Sequence, residues 1–186
     1  MIRLIFWNMV NWYYYTKIGG VRMFKVGDHV VYPGHGAGKV QEVMEKTILN
    51  EKQLYFVVFF PLQGITLMLP EKKVMKSGLR PVTDADHLMQ LLADCGRKNI
   101  MEEFQKPSRR QDERLASGTI EDCIEVYFEL TCKKSHSPQK LHIEEKKSLD
   151  LARKLLISEL MLVHNTTEME AVSMLEARVN TPLKEA

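Results

Sequence analysis

Residues 54–70 read LYFVVFFPLQGITLMLP and contain two runs of apolar, β-branched and aromatic residues. The first run ends at Pro61, and the second follows the turn residues Gln63-Gly64 and ends at Pro70. Runs of this length, bounded by proline and glycine, are typical of β-strands. The stretch therefore predicts two strands of a β-rich domain.

The residues before this stretch predict further short strands. Residues 24–26 and 29–32 flank the turn residues Gly27-Asp28, and residues 39–47 alternate weakly between apolar and polar side chains. Four or five short strands within about sixty residues are typical of a small, strongly bent barrel. We therefore predict a β-barrel domain over residues 23–82.

A glycine-rich loop, PGHGAGK at 33–39, ends in Gly-Lys as a phosphate-binding loop does. Such a loop also requires a glycine five residues before the last one, and Ser or Thr after the lysine. Pro33 and Val40 occupy these two positions, so the sequence argues against nucleotide binding. We predict instead that the glycines supply positive φ in a tight inter-strand loop. His35 has no acidic or thiol companion and is predicted to be a hydrogen-bonded loop residue rather than a metal ligand.

Residues 83–186 have the apolar spacing and the capping residues of helices. The stretch TIED at 119–122 is typical of a capping box, and Thr83-Asp84 precedes apolar residues at helical spacing. The predicted helices begin after Asp84, at Arg109, at Thr119, at residue 142 and after Thr167. About five helices in this length predict a compact all-helical domain, so the chain is predicted to be α+β.

Composition excludes several classes of protein. The chain has 186 residues, of which 45% are hydrophobic and 27% charged, and its net charge is only +2. These values argue against a disordered chain, a fibre and a generally basic nucleic-acid coat. No window approaches 18 unbroken apolar residues, so we expect no membrane-spanning helix. Cys95, Cys123 and Cys132 form no C-x-x-C pair, which fits a reducing cytoplasm, and we predict buried or half-buried thiols.

The sequence contains no motif for catalysis or for a metal or cofactor site. Neither G-x-S-x-G nor H-E-x-x-H occurs, and no cysteine has a histidine within a recognisable motif. A hydrolase that uses His35 or a cysteine is the competing hypothesis from another class. We expect a protein that is not an enzyme and that needs no metal and no cofactor.

Residues 1–22 differ in composition from the rest of the chain. They carry three basic and no acidic residues, both tryptophans and the run Tyr13-Tyr14-Tyr15. Two glycines precede Val21, Arg22 and Met23. Glycine codons followed by a valine codon could be a purine-rich ribosome-binding site that has been translated. We therefore expect translation to start at Met23. Residues 1–22 would then be a non-native or disordered extension. The alternative is an interfacial membrane anchor, since aromatic and cationic side chains suit lipid headgroups.

The two predicted domains differ in charge. Residues 23–82 contain eight basic and five acidic residues, a net charge of +3, whereas residues 83–186 contain fifteen and nineteen, a net charge of −4. Within this acidic block, four cations occur in a stretch of nine residues close to Phe104. They are Lys106, Arg109, Arg110 and Arg114. This cluster predicts either a phosphate or minor-groove contact with DNA, or a solvated helix face paired with Asp112 and Glu113.

Four segments of the chain resemble the CarD-like family of bacterial transcription regulators. They are MFKVGDHVVYPGHG at 23–36, LP at 69–70, GLRP at 78–81 and LASG at 115–118. The opening segment is also similar to the polymerase-interacting domain of the transcription-repair coupling factor. That factor continues into helicase modules, for which this chain is too short. The resemblance covers residues 23 to about 180.

The resemblance implies a Tudor-like N-terminal barrel that docks on the β subunit of RNA polymerase by strand addition to a sheet edge. It also implies a helical domain that contacts promoter DNA near the upstream edge of the melted region. There the family places a tryptophan wedge in the minor groove. Counting back from Leu115 without a gap puts Phe104 at the tryptophan's position, and phenylalanine is also used as a wedge. The family often has basic residues on the polymerase-facing strands. Lys46 matches one of these basic positions, whereas Met68 occupies another of them.

The resemblance therefore implies a transcription regulator with two partners, the polymerase β subunit and promoter DNA. The DNA would be held at phosphates and the minor groove without sequence specificity. The implied DNA contacts are Phe104, Lys106, Arg109, Arg110 and Arg114, and the implied polymerase contacts are Lys46 and Met68. We expect a monomer that stabilises the open complex and has no membrane partner. The alternative is a polymerase-binding adaptor that recruits another protein and does not touch DNA.

Overall fold

The computed structural model describes residues 24–48, 51–74, 76–97, 111–136 and 141–179. Within these ranges an antiparallel five-stranded sheet is followed by helices, so the predicted α+β class is confirmed. The order of the strands in the sheet is β4-β3-β2-β1-β5. The strands are β1 (His29–Tyr32), β2 (Gly36–Ile48), β3 (Glu51–Phe60), β4 (Ile65–Pro70) and β5 (Arg80–Pro81).

One face of the sheet carries the apolar core of the N-terminal domain. Side chains alternate between the two faces along a strand, so every second residue of β3 points to the same side. Phe56, Val58 and Phe60 are at most 1% exposed and pack in one cluster with neighbouring apolar residues. The opposite face carries Tyr55, Val57 and Phe59, and we call it the outer face.

A β-bulge lies in β2 at Gln41. Val40 and Glu42 pair with the consecutive residues 58 and 57 of β3, so Gln41 is an extra residue in the strand. Because of this extra residue, Val40 and Val43 both contact the core, although they are three positions apart. The alternation of β2 is therefore shifted by one residue beyond the bulge.

The prediction of a strand at 24–26 is wrong. This segment enters a turn in which the Lys25 amide donates to Asp28 Oδ2 at 2.9 Å, and Val26 is 50% exposed. Gly27 has a φ of +96° in this turn, a conformation that glycine adopts without strain. The first strand is therefore β1, which begins at His29.

Six helices follow or interrupt the strands in the described ranges. Asp84, Thr119 and Thr167 accept hydrogen bonds from backbone amides of the next turn, as their predicted capping roles require. Two helices extend further than the sequence suggested. One includes Gly96 and the other includes His136, residues at which a break was expected. The helices are α1 (Glu71–Val74), α2 (Ala85–Arg97), α3 (Gln111–Ser117), α4 (Ile120–His136), α5 (Ile143–His164) and α6 (Glu168–Val179).

A second apolar core lies among the helices. It contains Leu88 from α2, Ile124 from α4, Leu156 and Leu160 from α5, and Leu175 from α6, each at most 2% exposed. α4 supplies the greatest number of its buried residues, and α5 supplies the next greatest. The helical block is thus built around α4 and α5, and none of its described helices is long and apolar enough to cross a membrane.

The three cysteines lie in the described part of the helical block. Cys95 and Cys123 are buried and Cys132 is half-buried, as predicted. Burial raises the pKa of the Cys123 thiol, and the nearby carboxylate of Glu159 raises it further. Because the thiolate is the reactive form of cysteine, Cys123 has the character of an inert core residue.

Candidate functional site

Lys46 and Met68 lie on the same face of the sheet. Lys46 pairs with Gln53 and Met68 pairs with Val57. Gln53, Tyr55 and Val57 are alternate residues of β3, so they and their partners point to the outer face. The structure therefore brings the two predicted polymerase contacts onto one surface, opposite the barrel core.

Lys46 belongs to the part of β2 and β3 that extends beyond the other strands. We call residues 45–48 and 51–54 the ribbon; within the described ranges no third strand pairs with it. Lys46 is exposed there, Ile48 is 48% exposed, and Lys52 Nζ lies 3.9 Å from Glu45 Oε2. A ribbon of this kind presents a cation together with backbone groups that a partner strand could bind.

Met68 lies on β4, the terminal strand of the sheet. No other described strand pairs with the free side of β4, so its outward backbone groups are available for strand addition. Met68 is 43% exposed, and Val57 and Phe59 beside it on the outer face are half-buried. This end of the surface is apolar, in contrast to the cationic ribbon.

Arg114 is the one predicted DNA contact that lies within the described residues. It is on α3, and only 7% of it is exposed. Its Nη2 donates to Glu125 Oε2 and its Nη1 to Glu129 Oε2, both at 2.8 Å, and its Nε lies 3.5 Å from Asp122. Because three carboxylates surround this guanidinium, the geometry favours a structural role and not the phosphate contact that the sequence suggested.

The other predicted DNA contacts lie outside the described residues: Phe104, Lys106, Arg109 and Arg110. Their assignment stays a prediction. They immediately precede α3, whose position is fixed by the carboxylate contacts of Arg114.

A spacing in the sequence could have revealed the role of Arg114. Asp122, Glu125 and Glu129 are three and four residues apart, so they lie on one face of a helix and present a row of carboxylates. The sequence interpretation instead paired the cations with Asp112 and Glu113, which are nearer along the chain. An arginine opposite a row of acids on the next helix is a better match.

The carboxylate of Asp122 remains ionised within this cluster. Burial alone would raise its pKa, but hydrogen bonds from the Ser117 and Thr119 hydroxyls and the charge of Arg114 outweigh that effect. The net result is a lowered pKa. The cluster thus joins the start of α4 to α3 through charged hydrogen bonds.

His35 is held by neighbouring side chains of the barrel. Its ring stacks on Tyr32 with a centroid distance of 5.3 Å, and its Nδ1 lies 3.4 Å from Gln63 Oε1. No group of three metal-ligating side chains occurs in the described ranges. These contacts agree with the predicted role of a hydrogen-bonded loop residue.

Sequence reasoning missed a set of contacts between the barrel and α5. Arg80 donates from two nitrogens to the two carboxylate oxygens of Glu159, each at 2.8 Å, and Glu159 is 1% exposed. The sequence feature that could have indicated these contacts is the glutamate within the apolar run 155–161. A charged residue in such a run is rarely buried unless it is paired, so it predicts a partner. The partner arginine could not be identified from spacing alone.

Comparison with known proteins gives two family matches along the chain. Residues 24–83 match the family described as CarD-like/TRCF RID domain, and residues 87–176 match the family described as CarD, C-terminal domain. A Bacillus subtilis (strain 168) protein named "Putative transcription factor YdeB" is 34% identical over 154 residues. The aligned part covers 81% of this chain and 99% of that relative.

Proposed function

The chain belongs to the CarD-like family of transcription regulators, and from that membership we propose that it docks on the β subunit of RNA polymerase and stabilises the promoter open complex. The barrel would bind the polymerase, and the helical block would contact DNA at the upstream edge of the melted region. We place the division between the two domains after residue 82, between β5 and α2, and propose that the chain acts as a monomer.

The observation that carries the polymerase contact is the shared orientation of Lys46 and Met68. Both lie on the outer face, next to a free strand edge, and the barrel block has a net charge of +3. Strand addition supplies main-chain hydrogen bonds, while side chains of the exposed face supply specificity. A partner surface with an acidic side chain facing Lys46 and an apolar one facing Met68 would fit this face.

The DNA contact rests on fewer residues than the sequence suggested. The helical block is net acidic, and Arg114 is engaged by carboxylates, which leaves Phe104, Lys106, Arg109 and Arg110 as the proposed contacts. Such a set binds DNA weakly by itself. Docking on polymerase raises its effective concentration at the promoter, so weak, sequence-independent contacts become sufficient.

The second candidate function is an adaptor that binds polymerase and recruits another protein without touching DNA. The net charge of −4 on residues 83–186 favours it, because an acidic surface repels phosphates. The two candidates agree on the polymerase contact and differ only in the role of residues 104–110. Variants of those residues therefore distinguish them.

Reversing the charge of Lys46 tests the polymerase contact. We expect Lys46→Glu to weaken binding of the full chain to the isolated β-subunit lobe by about three- to tenfold, as loss of a rim charge contact does. Isothermal titration measures the affinity. Lys154→Glu, the same change at an exposed position on α5, is the matched control. Equal affinities for both variants would place the contact elsewhere.

The decay of promoter complexes under competitor tests the open-complex function. Wild-type protein should lengthen the lifetime, Phe104→Ala should shorten it, and Phe104→Trp should preserve it, because a larger ring covers more of an unstacked base step. Replacement of Arg109 and Arg110 by alanine should reduce the salt dependence of the effect. Unchanged decay in all of these variants, with polymerase binding intact, would favour the adaptor.

A further inference from the structure

Three of the segments that carry the family resemblance meet between the barrel and the helical block. Pro33, from the segment 23–36, lies between Gly78 and Gly118 of the other two segments. A Cβ on Gly118 would come within 2.8 Å of Pro33 Cγ, and a Cβ on Gly78 within 3.3 Å. We call the contact region formed by residues 33–37, 78–83, 118 and 158–159 the joint.

The glycine-rich loop packs against α5 at the joint. The Ala37 amide donates to Ser158 Oγ at 2.9 Å, and that hydroxyl donates to Leu155 O at 2.7 Å. A Cβ on Gly36 would overlap Ser158 Oγ, and Gly36 has a φ of +86°. The loop that superficially matched a phosphate-binding motif is therefore an interdomain packing element, in which a missing side chain allows a strand to approach a helix.

A buried ion pair closes the other side of the joint. In addition to its two bonds with Arg80, Glu159 accepts the Thr83 amide at 2.7 Å, and Arg80 Nε donates to Gly118 O at 2.7 Å. Removing one partner of such a pair leaves a charge buried without compensation. The full set of bonds can form in only one relative orientation of the sheet, the linker to α2 and the helical block.

We propose that Gly36, Arg80, Ser158 and Glu159 are positioning residues that hold the barrel and the helical block in one orientation, so that docking on polymerase determines where the helical block meets DNA. This inference rests on the proposed function. None of the four residues is assigned a contact with polymerase or DNA. They act on the open complex through the geometry between the two binding surfaces.

A fixed orientation matters because the DNA contacts are few. When two weak contacts are linked, the gain in affinity depends on whether the linkage allows both to form at once. A rigid joint also removes the entropy cost of ordering one domain relative to the other during binding. Loosening the joint should therefore weaken the effect on DNA without weakening the polymerase contact.

A spin-label distance measurement on the full chain tests the rigidity of the joint. Labels are placed at Thr66→Cys on β4 and Glu168→Cys on α6, both exposed positions, in a Cys132→Ser background. We expect one narrow distance distribution. Glu159→Gln replaces a carboxylate oxygen with an amide donor facing Arg80, and Arg80→Lys keeps the charge but loses the two-pronged contact, so each should broaden the distribution.

The same variants are then assayed for promoter-complex decay and for binding to the β-subunit lobe. We expect Glu159→Gln and Arg80→Lys to shorten the lifetime of the promoter complex by about tenfold. A change of this size is expected when the polymerase contact and the DNA contact are no longer rigidly linked. Their affinity for the lobe should stay within about twofold of the wild type, a difference under half a kcal/mol. Thermal melting confirms that each variant is folded at the assay temperature. Glu176→Gln, which removes the exposed partner of Arg153 on α5, is the matched control and should leave both readouts unchanged.

Each failure of this test has a distinct meaning. A broadened distance distribution with wild-type decay would overturn the positioning role and leave the proposed function intact. A narrow distribution in both joint variants would overturn the claim that these residues fix the orientation. Wild-type protein that does not slow decay would overturn the proposed function itself, together with the contribution of the joint to it.

Discussion

Among the described residues, Arg114 and Glu159 are the two most deeply buried charged side chains, and they have different structural roles. All three charged partners of Arg114 lie on α4, so its contacts join α3 to α4 within the helical block. Glu159 instead accepts bonds from Arg80 on β5 and from the Thr83 amide in the linker to α2, so its contact with Arg80 crosses the joint. Arg114 therefore stabilises the helical block, whereas Glu159 stabilises the relative orientation of the two domains.

Removal of Arg114 should destabilise the helical block. We expect Arg114→Met to lower the free energy of unfolding by about 2 kcal/mol, less than the ~3–5 kcal/mol of a fully buried pair, because water can still reach Glu125. The measurement is urea unfolding followed by circular dichroism. Arg153→Met, which removes an exposed pair, should cost under about 1 kcal/mol. Equal losses for the two variants would contradict the structural role.

The lowered carboxylate pKa values predict a loss of stability in acid. Burial raises the pKa of Asp122 and of Glu145, but hydrogen bonds and nearby cations more than offset it in both cases. A group whose pKa is lower in the folded state stabilises the fold above its unfolded-state pKa, here about 4. This contribution disappears as the pH falls through the folded-state value.

We therefore expect the unfolding free energy to decline below about pH 4.5 and to decline less steeply in Asp122→Asn and in Glu145→Gln. Urea unfolding at a series of pH values measures these slopes. Asp150→Asn, at an exposed position on α5, serves as the control. A wild-type slope in both test variants would show that other groups cause the acid sensitivity.

At the scale of elements, local patterns predicted most strands and helices, and long-range contacts escaped prediction. Caps such as Asp84 and the run at 54–60 are local signals, because the hydrogen bonds and burial they specify involve near neighbours. The face that Lys46 occupies depends on the bulge, which an alternation pattern does not reveal. The pairing of Arg114 with α4, and of Arg80 with Glu159, depends on how the elements pack.

The glycine-rich loop offers a direct comparison of backbone strain and packing. Gly34 and Gly36 both have positive φ, but only at Gly36 would a Cβ meet another residue. We expect Gly34→Ala to cost about 1–2 kcal/mol through the left-handed conformation alone. Gly36→Ala should cost about 1–3 kcal/mol more, through overpacking against Ser158.

Urea unfolding of the two glycine variants provides the measurement. The spin-label pair described above adds a second readout, which should broaden only in Gly36→Ala. If the two substitutions cost the same free energy, the loop does not pack against α5 as the structure indicates.

At the scale of the molecule, two apolar cores are connected through a joint that contains a buried ion pair and hydrogen bonds. The sheet core and the helical core form separate clusters of buried residues. Between them lie the ion pair of Arg80 with Glu159 and the hydrogen bond from Ala37 to Ser158. A polar interface of this kind specifies orientation, while each core supplies the stability of its own domain.

This arrangement predicts coupled unfolding that the joint controls. Wild-type protein should unfold in a single calorimetric transition with a ratio of calorimetric to van't Hoff enthalpy near one. Glu159→Gln should raise the ratio, because the two cores then unfold with less dependence on each other. Differential scanning calorimetry gives both values, with Glu176→Gln as the control. A ratio near one in Glu159→Gln would mean that the cores are coupled by other contacts.

The bulge at Gln41 has a consequence for insertions and deletions during evolution. Because Gln41 is the extra residue, its deletion would close the bulge and leave every later residue of β2 opposite its present partner. Deletion of Glu42, one position further on, would leave residues 43–48 opposite their present partners, with Gln41 as the partner of Val57. Deletion within the ribbon would instead reverse the side chains beyond it. Length variation in this strand is therefore expected to be tolerated at the bulge and selected against a few residues later, where Lys46 would change faces.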